Sequence, residues 1–300
     1  MRLLSMVAAA LLGADSVLAS PVVLAPRTPR AMQRRARAHK SSPILAANVN
    51  LGSNHKPGGP YKFNAVGGSG VNGTGLGAGQ NKDQTHGSNA MIYSANWAGA
   101  VLNGVDFQLV TGTFAVPTPR LPKDADANTE YAASAWVGID GSSCQDTILQ
   151  VGLDFSIQGT RVSYDAWYEW YPDYSYNFVN FAIRAGDIVR LTAASSSTTS
   201  GRVLVENLTT GQSVAHTFSG ESSPLCQANA EWIVEDFMTG NSLKPLANFG
   251  TVTFTNCSVT QTSGTQLGVT GSTIINMQQN GNVMTNCSTS YGKTVSCTYT

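Results

Sequence analysis

Charge is scarce in this chain: 12% of its 300 residues are Asp, Glu, Lys or Arg and the formal net charge is zero, where soluble proteins carry about 25% charged residues. Histidine is scarcer still. Four are present and His216 is the only one past residue 90, so a Ser-His-Asp or Cys-His triad has a single candidate base, with no G-x-S-x-G near it. His216 sits in an alternating, strand-like run and is expected to be structural. No H-E-x-x-H and no paired Cys/His spacing supports a zinc site, and neither Asp-Thr-Gly nor Asp-Ser-Gly occurs, which removes the sequence foothold for a two-aspartate protease. No apolar run beyond residue 19 approaches the roughly 18 to 20 residues of a membrane span. Sustained helical periodicity and tandem repeats are also lacking. No metal, cofactor or membrane partner is expected.

The zero net charge conceals an asymmetry. Residues 20–90 hold nine bases and one acid, or +8, while residues 91–300 hold eight bases and sixteen acids, or −8. An acidic body would repel phosphate, so nucleic acid is not an expected partner. Residues 1–19 combine Arg2, the apolar stretch Leu3–Gly13 and a small-residue end at Ala19, the pattern of a secretory signal peptide. Residues 20–90 carry the basic run Arg30, Arg34, Arg35 and Arg37, then eleven of the thirty glycines between residues 50 and 90. Such a segment has too little apolar surface to fold alone and reads as a prosegment, cut between about residues 80 and 91. Its basic part is expected to dock on the acidic body, attracted near neutrality and released as carboxylates protonate. Secretion accords with four N-x-Ser/Thr sequons, at Asn72, Asn207, Asn256 and Asn286.

From Tyr93 the texture changes to short runs of Val, Ile, Thr, Tyr, Trp and Phe broken by Gly, Asn, Asp and Pro. This predicts an all-β sandwich or barrel over residues 91–300. Successive side chains of a strand point to opposite faces. Ala135, Val137 and Ile139 therefore share a core face, as do Leu149, Val151, Leu153 and Phe155, and likewise Ala230, Trp232 and Val234. The opposite faces carry Trp136 and Asp140; Gln150 and Asp154; Asp165, Trp167, Glu169 and Tyr171; and Glu231, Ile233 and Glu235. If these four strands share a sheet, the second faces form one acidic, aromatic groove suited to an extended polymer. A merely solvated face would not need such aromatics.

Paired acids such as Glu169 with Glu235 would suit glycoside hydrolysis, and a single Glu with a Gln would suit activation of water and stabilisation of an oxyanion. Six ordered motifs bear on that choice: Ser94–Gly99 (SANWAG), Ala135–Gly141 (AWVGIDG), Ile148–Asp154 (ILQVGLD), Tyr164–Pro172 (YDAWYEWYP), Glu206–Gln212 (ENLTTGQ) and Asn229–Phe237 (NAEWIVEDF). Together they resemble the motif set of the secreted fungal glutamic peptidases, the eqolisins, from about residue 94 to the C-terminus.

The resemblance implies an antiparallel β-sandwich of two seven-stranded sheets and an acid endopeptidase made as a zymogen, secreted, acting as a monomer on protein and peptide substrates and inhibited by its own prosegment. It assigns Gln150 and Glu235 as the catalytic pair, and Trp136, Asp140, Asp154, Asp165, Glu169 and Tyr171 to substrate binding or to support of that pair. It also implies a bridge between Cys144 and Cys226; Cys287 with Cys297 fits a hairpin, and the pairing among Cys257, Cys287 and Cys297 stays open, with at least one of the five cysteines unpaired. Glu231, on the same strand face as Glu235, is the competing choice for the catalytic Glu. The alternative to a peptidase is a carbohydrate-active sandwich, hydrolase or lectin, with Trp136, Trp167 and Tyr171 stacking on sugars.

Overall fold

A computed structural model of the chain describes residues 41–47 and 90–300. The signal segment, the arginine run and Asn72 lie outside the described residues. In chain order the strands are β1 (Met91–Ser94), β2 (Trp97–Asn103), β3 (Phe107–Ala115), β4 (Tyr131–Ile139), β5 (Ile148–Gln158), β6 (Arg161–Tyr171), β7 (Tyr176–Asn177), β8 (Ile188–Ser197), β9 (Ser200–Asn207) and β10 (Gln212–Phe218). Then come β11 (Asn229–Glu235), β12 (Met238–Thr239), β13 (Ser242–Leu243), β14 (Thr251–Gln261), β15 (Gln266–Leu267), β16 (Thr273–Gln279), β17 (Asn282–Val283), β18 (Thr285–Ser290) and β19 (Thr294–Tyr299). No helix occurs among the described residues.

The first sheet runs β1-β16-β2-β11-β4-β5-β6-β7 with β17 attached to β16, and the second runs β10-β9-β8-β3-β14-β19-β18 with β15 attached to β14. Setting aside the two-residue strands β7, β15 and β17 leaves seven strands in each sheet. Pairing is antiparallel except for β1 on β16, which is parallel.

Alternation explains how the sheets meet. Val137, Val151, Leu153, Trp232 and Val234 of the first sheet join Phe114, Val189, Leu191, Val205 and Phe254 of the second in one core. Trp232 crosses the interface and donates its Nε1–H to the Thr111 carbonyl at 2.8 Å. Gly112 gives it room, since a Cβ there would stand 2.9 Å from the Trp232 ring. With one face of the first sheet consumed by this core, its other face is left to form the groove.

Cys144 is joined to Cys226, and Cys287 to Cys297 across the β18–β19 hairpin. Cys257 is buried as a free thiol, and burial pushes its pKa up to about 12. His216 stacks on Tyr168 with ring centroids 4.1 Å apart, and burial lowers its pKa. Two sequons, Asn256 and Asn286, are exposed. The third, Asn207, is fully buried, and its Nδ2 donates to Asp187 at 2.8 Å while its Oδ1 accepts the amides of Thr209 and Thr210. Its amide is spent closing the turn after β9.

Candidate active site

β11, β4, β5 and β6 are consecutive in the first sheet, so the faces singled out by alternation become one surface. Register sets it out in cross-strand rows. Glu235, Ser134, Asp154 and Asp165 form one row; Ile233, Trp136, Gly152 and Trp167 the next; Glu231, Gly138, Gln150 and Glu169 the third. The glycines are required by the indole between them. A Cβ on Gly152 would stand 2.6 Å from both Trp136 and Trp167, and one on Gly138 would stand 2.8 Å from the Trp136 ring. Trp136 also meets Trp97 edge to face at 5.0 Å. These rings, with Val101, Ile148, Ile233 and Ile275, make a second apolar cluster on the groove side of the sheet.

Glu235 is fully buried at the edge of that cluster. Trp136 Nε1–H donates to its Oε2 at 2.8 Å, and Asn96 Nδ2–H to its Oε1 at 3.4 Å. Two further donors come from the chain segment 41–47, which crosses this end of the groove: the Ser41 hydroxyl bonds Oε2 and the Ser42 amide bonds Oε1. A group surrounded by donors is suited to hold a negative charge. The adjoining Asp236 differs. Burial pushes its pKa well above the usual range, Gln279 partly offsets this by donating to it at 2.7 Å, and the charge of Glu235 adds to the rise.

Gln150 is also fully buried and donates its Nε2–H to Glu169 at 3.3 Å, while its Oε1 has no hydrogen-bond partner among the described residues. Glu231 lies in the same row, across Gly138. Neither of its carboxyl oxygens has a hydrogen-bond partner among the described residues, and burial, followed by the charge of Asp140, raises its pKa well above the ordinary carboxylate range. Its surroundings favour the protonated form, where Glu235 is met by hydrogen-bond donors.

The remaining expected site residues divide by position. Asp165 is exposed, Asp154 and Tyr171 are half-buried and Glu169 is buried. Burial, then the charges of Glu169 and Asp146, raises the Tyr171 pKa. Asp140, just past β4 with φ of 72°, receives backbone N–H bonds from Cys226, Gln227 and Ala228 at 2.8 Å and from Asn229 at 3.3 Å. Burial nevertheless outweighs these donors and raises its pKa. Together with the Cys144–Cys226 bridge, Asp140 ties the loop after β4 to the segment entering β11. Among the described residues the one grouping with metal-ligand spacing is Asp140, Cys144 and Cys226; both sulfurs are spent in the disulfide, leaving one carboxylate already engaged by four amides.

Gln150 and Glu235 are thus on one face and flank the Trp136 row from either side, bonded to Glu169 and Trp136 respectively. Sequence reasoning did not assign a site role to Asn96, Trp97, Asp236 or the 41–47 segment. Asn96 and Trp97 stood in the first motif, but a motif residue beside a strand start carries no sign of which carboxylate it will meet.

The peptidase A4 family model matches residues 95–299. Aspergillopepsin-2 of Aspergillus niger is 48% identical over 222 residues, covering 69% of this chain and 78% of that protein. Scytalidopepsin B of Scytalidium lignicola is 45% identical over 213 residues, covering 68% and 78%. Among solved structures, scytalido-glutamic peptidase with a peptide-based transition state analogue superposes with a TM-score of 0.61 at 42% identity, covering 69% of this chain and 98% of that one. Aspergilloglutamic peptidase of Aspergillus niger gives 0.55 at 52% identity, covering 57% and 99%. The match spans both sheets and all four groove strands, and the chain belongs to the peptidase A4 family, the glutamic peptidases.

Proposed function

We propose that the chain is a secreted acid endopeptidase, made as a zymogen, in which Glu235 is the general base and acid and Gln150 holds the oxyanion. The observation that carries this reading is the pair of buried groups on rows either side of Trp136. A peptide bond lying over the indole would have the carboxylate on one side and the amide on the other. Glu235 takes a proton from water, whose oxygen attacks the scissile carbonyl. Gln150 accepts a hydrogen bond from that water at its unpartnered Oε1 and donates Nε2–H to the negatively charged tetrahedral oxygen. The C–N bond then breaks as Glu235 returns the proton to the leaving nitrogen, giving a carboxylic acid and an amine. Glu169 orients the Gln150 amide, and Trp136 and Asn96 orient the carboxylate.

Glu235 is preferred to Glu231 on electrostatic grounds. A base must be ionised, and burial without donors disfavours the ionised form of Glu231. Asp154, Asp165 and Tyr171, on the open side of the groove, are assigned to substrate binding, and Asp140 to holding the groove wall. The mature enzyme is expected to begin between about residues 80 and 91 and to act as a monomer, with Asn256 and Asn286 available to glycans. Glu235→Gln and Gln150→Ala should each abolish cleavage of a denatured protein in acid in the presence of pepstatin, with the far-ultraviolet spectrum unchanged. Wild-type turnover by either variant would overturn the assignment. Release of sugars from a polysaccharide panel under the same conditions would restore the carbohydrate-active alternative.

A further inference from the structure

We infer that Ser41–Ala47 is the inhibitory element of the zymogen, an uncharged strap that seats Ile44 in the groove and covers Glu235. The inference rests on the catalytic reading of Glu235 given above. The strap, Ser41-Ser42-Pro43-Ile44-Leu45-Ala46-Ala47, contains no charged residue.

The strap is anchored along its length. Ala46 bridges Ser94 in antiparallel fashion, and the Leu45 carbonyl accepts the Ala95 amide at 2.9 Å. Leu45 N–H donates to Asn96 Oδ1 at 2.9 Å, and Ile44 N–H to the Gly141 carbonyl at 3.2 Å. The Ser42 carbonyl accepts Trp97 Nε1–H at 3.0 Å. Ile44 is 4% exposed and belongs to the apolar cluster of Trp97, Trp136, Ile148 and Ile233. At the far end the Ser41 hydroxyl and the Ser42 amide bond the two oxygens of Glu235. Ser41, fully buried, brings an alcohol oxygen to the carboxylate where the mechanism requires water.

These contacts make the strap sensitive to acid. Both strap groups donate to Glu235, and an ionised carboxylate accepts them more strongly than a protonated one, so protonation weakens the pair of bonds. Among the described residues the titratable groups around Glu235 are Asp236 beside it on the chain, Asp154 and Asp165 along its row, and Glu231 four residues back with Asp140 beyond it. Each of these is an acid that repels a charge on Glu235 when ionised.

The test uses the full-length chain, with mass spectrometry confirming that the leader is intact during each measurement. Cleavage of an internally quenched peptide is compared for wild type, Ile44→Arg, Ser41→Ala and a variant with Arg30, Arg34, Arg35 and Arg37 all changed to Ala. The uncut Ile44→Arg chain is expected to gain at least tenfold in activity at pH 6 and Ser41→Ala several-fold, with the arginine variant as silent as wild type. An arginine variant that is active uncut, beside a silent Ile44→Arg chain, would overturn the proposal. Amide hydrogen exchange at Ser42, Ile44 and Leu45, corrected for intrinsic rates, decides independently of turnover. Protection in wild type that falls between pH 6 and pH 3, is lost in Ile44→Arg and becomes independent of pH in Glu235→Gln supports the strap. Unprotected amides in wild type overturn it. If no form of the chain cleaves peptide, the catalytic reading fails while exchange still reports whether the strap is docked.

Discussion

Replacing Trp136 by Phe isolates one hydrogen bond of the proposed base. The indole is fully buried, its Nε1–H donates to Glu235 at 2.8 Å, and its ring fills the space left open by Gly138. Phe keeps an aromatic ring against Trp97 but supplies no donor. A hydrogen bond to a charged group contributes about 1.5–3 kcal/mol. Because that bond favours the ionised carboxylate, losing it makes protonation easier, and at 1.36 kcal/mol per pH unit the proton should bind about 1–2 units higher. The smaller ring also leaves a void, with an expected loss of about 1–3 kcal/mol in folding stability. The mature enzyme should show the shift most clearly, because it lacks the Ser41 and Ser42 donors and leans on Trp136 and Asn96. The assay is kcat/KM against pH for wild type and variant, alongside urea unfolding to establish that both are folded. The acid limb of the variant should move upward by about 1–2 units. A folded variant whose acid limb stays within about 0.3 unit of wild type would show that this bond does not set the ionisation of the base.

Other consequences follow from burial, covalent ties and exposure. Glu231, Asp236 and Asp140 all have raised pKa values, so the folded chain binds protons more tightly there than the unfolded chain does. Their contribution is full below the ordinary carboxylate range and is lost as pH rises from about 4 through the raised values. The urea midpoint, measured in a Glu235→Gln background to suppress self-digestion, should therefore fall from pH 4 toward pH 7, and adding Glu231→Gln should lessen the fall; an unchanged slope would contradict the buried-acid reading. Changing both Cys144 and Cys226 to Ser removes a bridge across a sequence separation of 82 and should cost about 4–5 kcal/mol on chain-entropy grounds, read from the same urea curves. Peptide mapping after glycosidase treatment should find glycan at Asn256 or Asn286 and none at Asn207, and a modified Asn207 would contradict its burial.

Alternation made the groove legible before any tertiary contact was known. Ala135, Val137, Leu149, Val151 and Trp232 all enter the shared core, while Trp136, Trp167 and Ile233 fall on the opposite side. A period of two needs only the backbone of each strand to be right. The motif set extended this to the pair Gln150 and Glu235. Glu231 projects from the same face of the same strand, and only position in the motif favoured Glu235 over it; donors from Asn96, β4 and the strap give that preference a physical reason, and these come from distant sequence. The charge asymmetry pointed to a leader whose basic part docks on the body, and that run lies outside the described residues. Among the described residues the contact is made by the uncharged segment 41–47, whose role depends on a pocket the linear chain does not display.

Residue alternation, turn chemistry and six ordered motifs were enough to determine an all-β sandwich, its two faces and the family. Those properties are local, or are repeated along the chain. Tertiary structure alone decided that β11, β4, β5 and β6 are neighbours, that Trp136 lies between the two proposed catalytic rows, that Asp140 serves the backbone of residues 226–229 and that Ile44 has a pocket. Each of these depends on register and burial between segments far apart in sequence, where the cost of an unpaired charge and the space left by a glycine are set by neighbours the chain acquires only on folding.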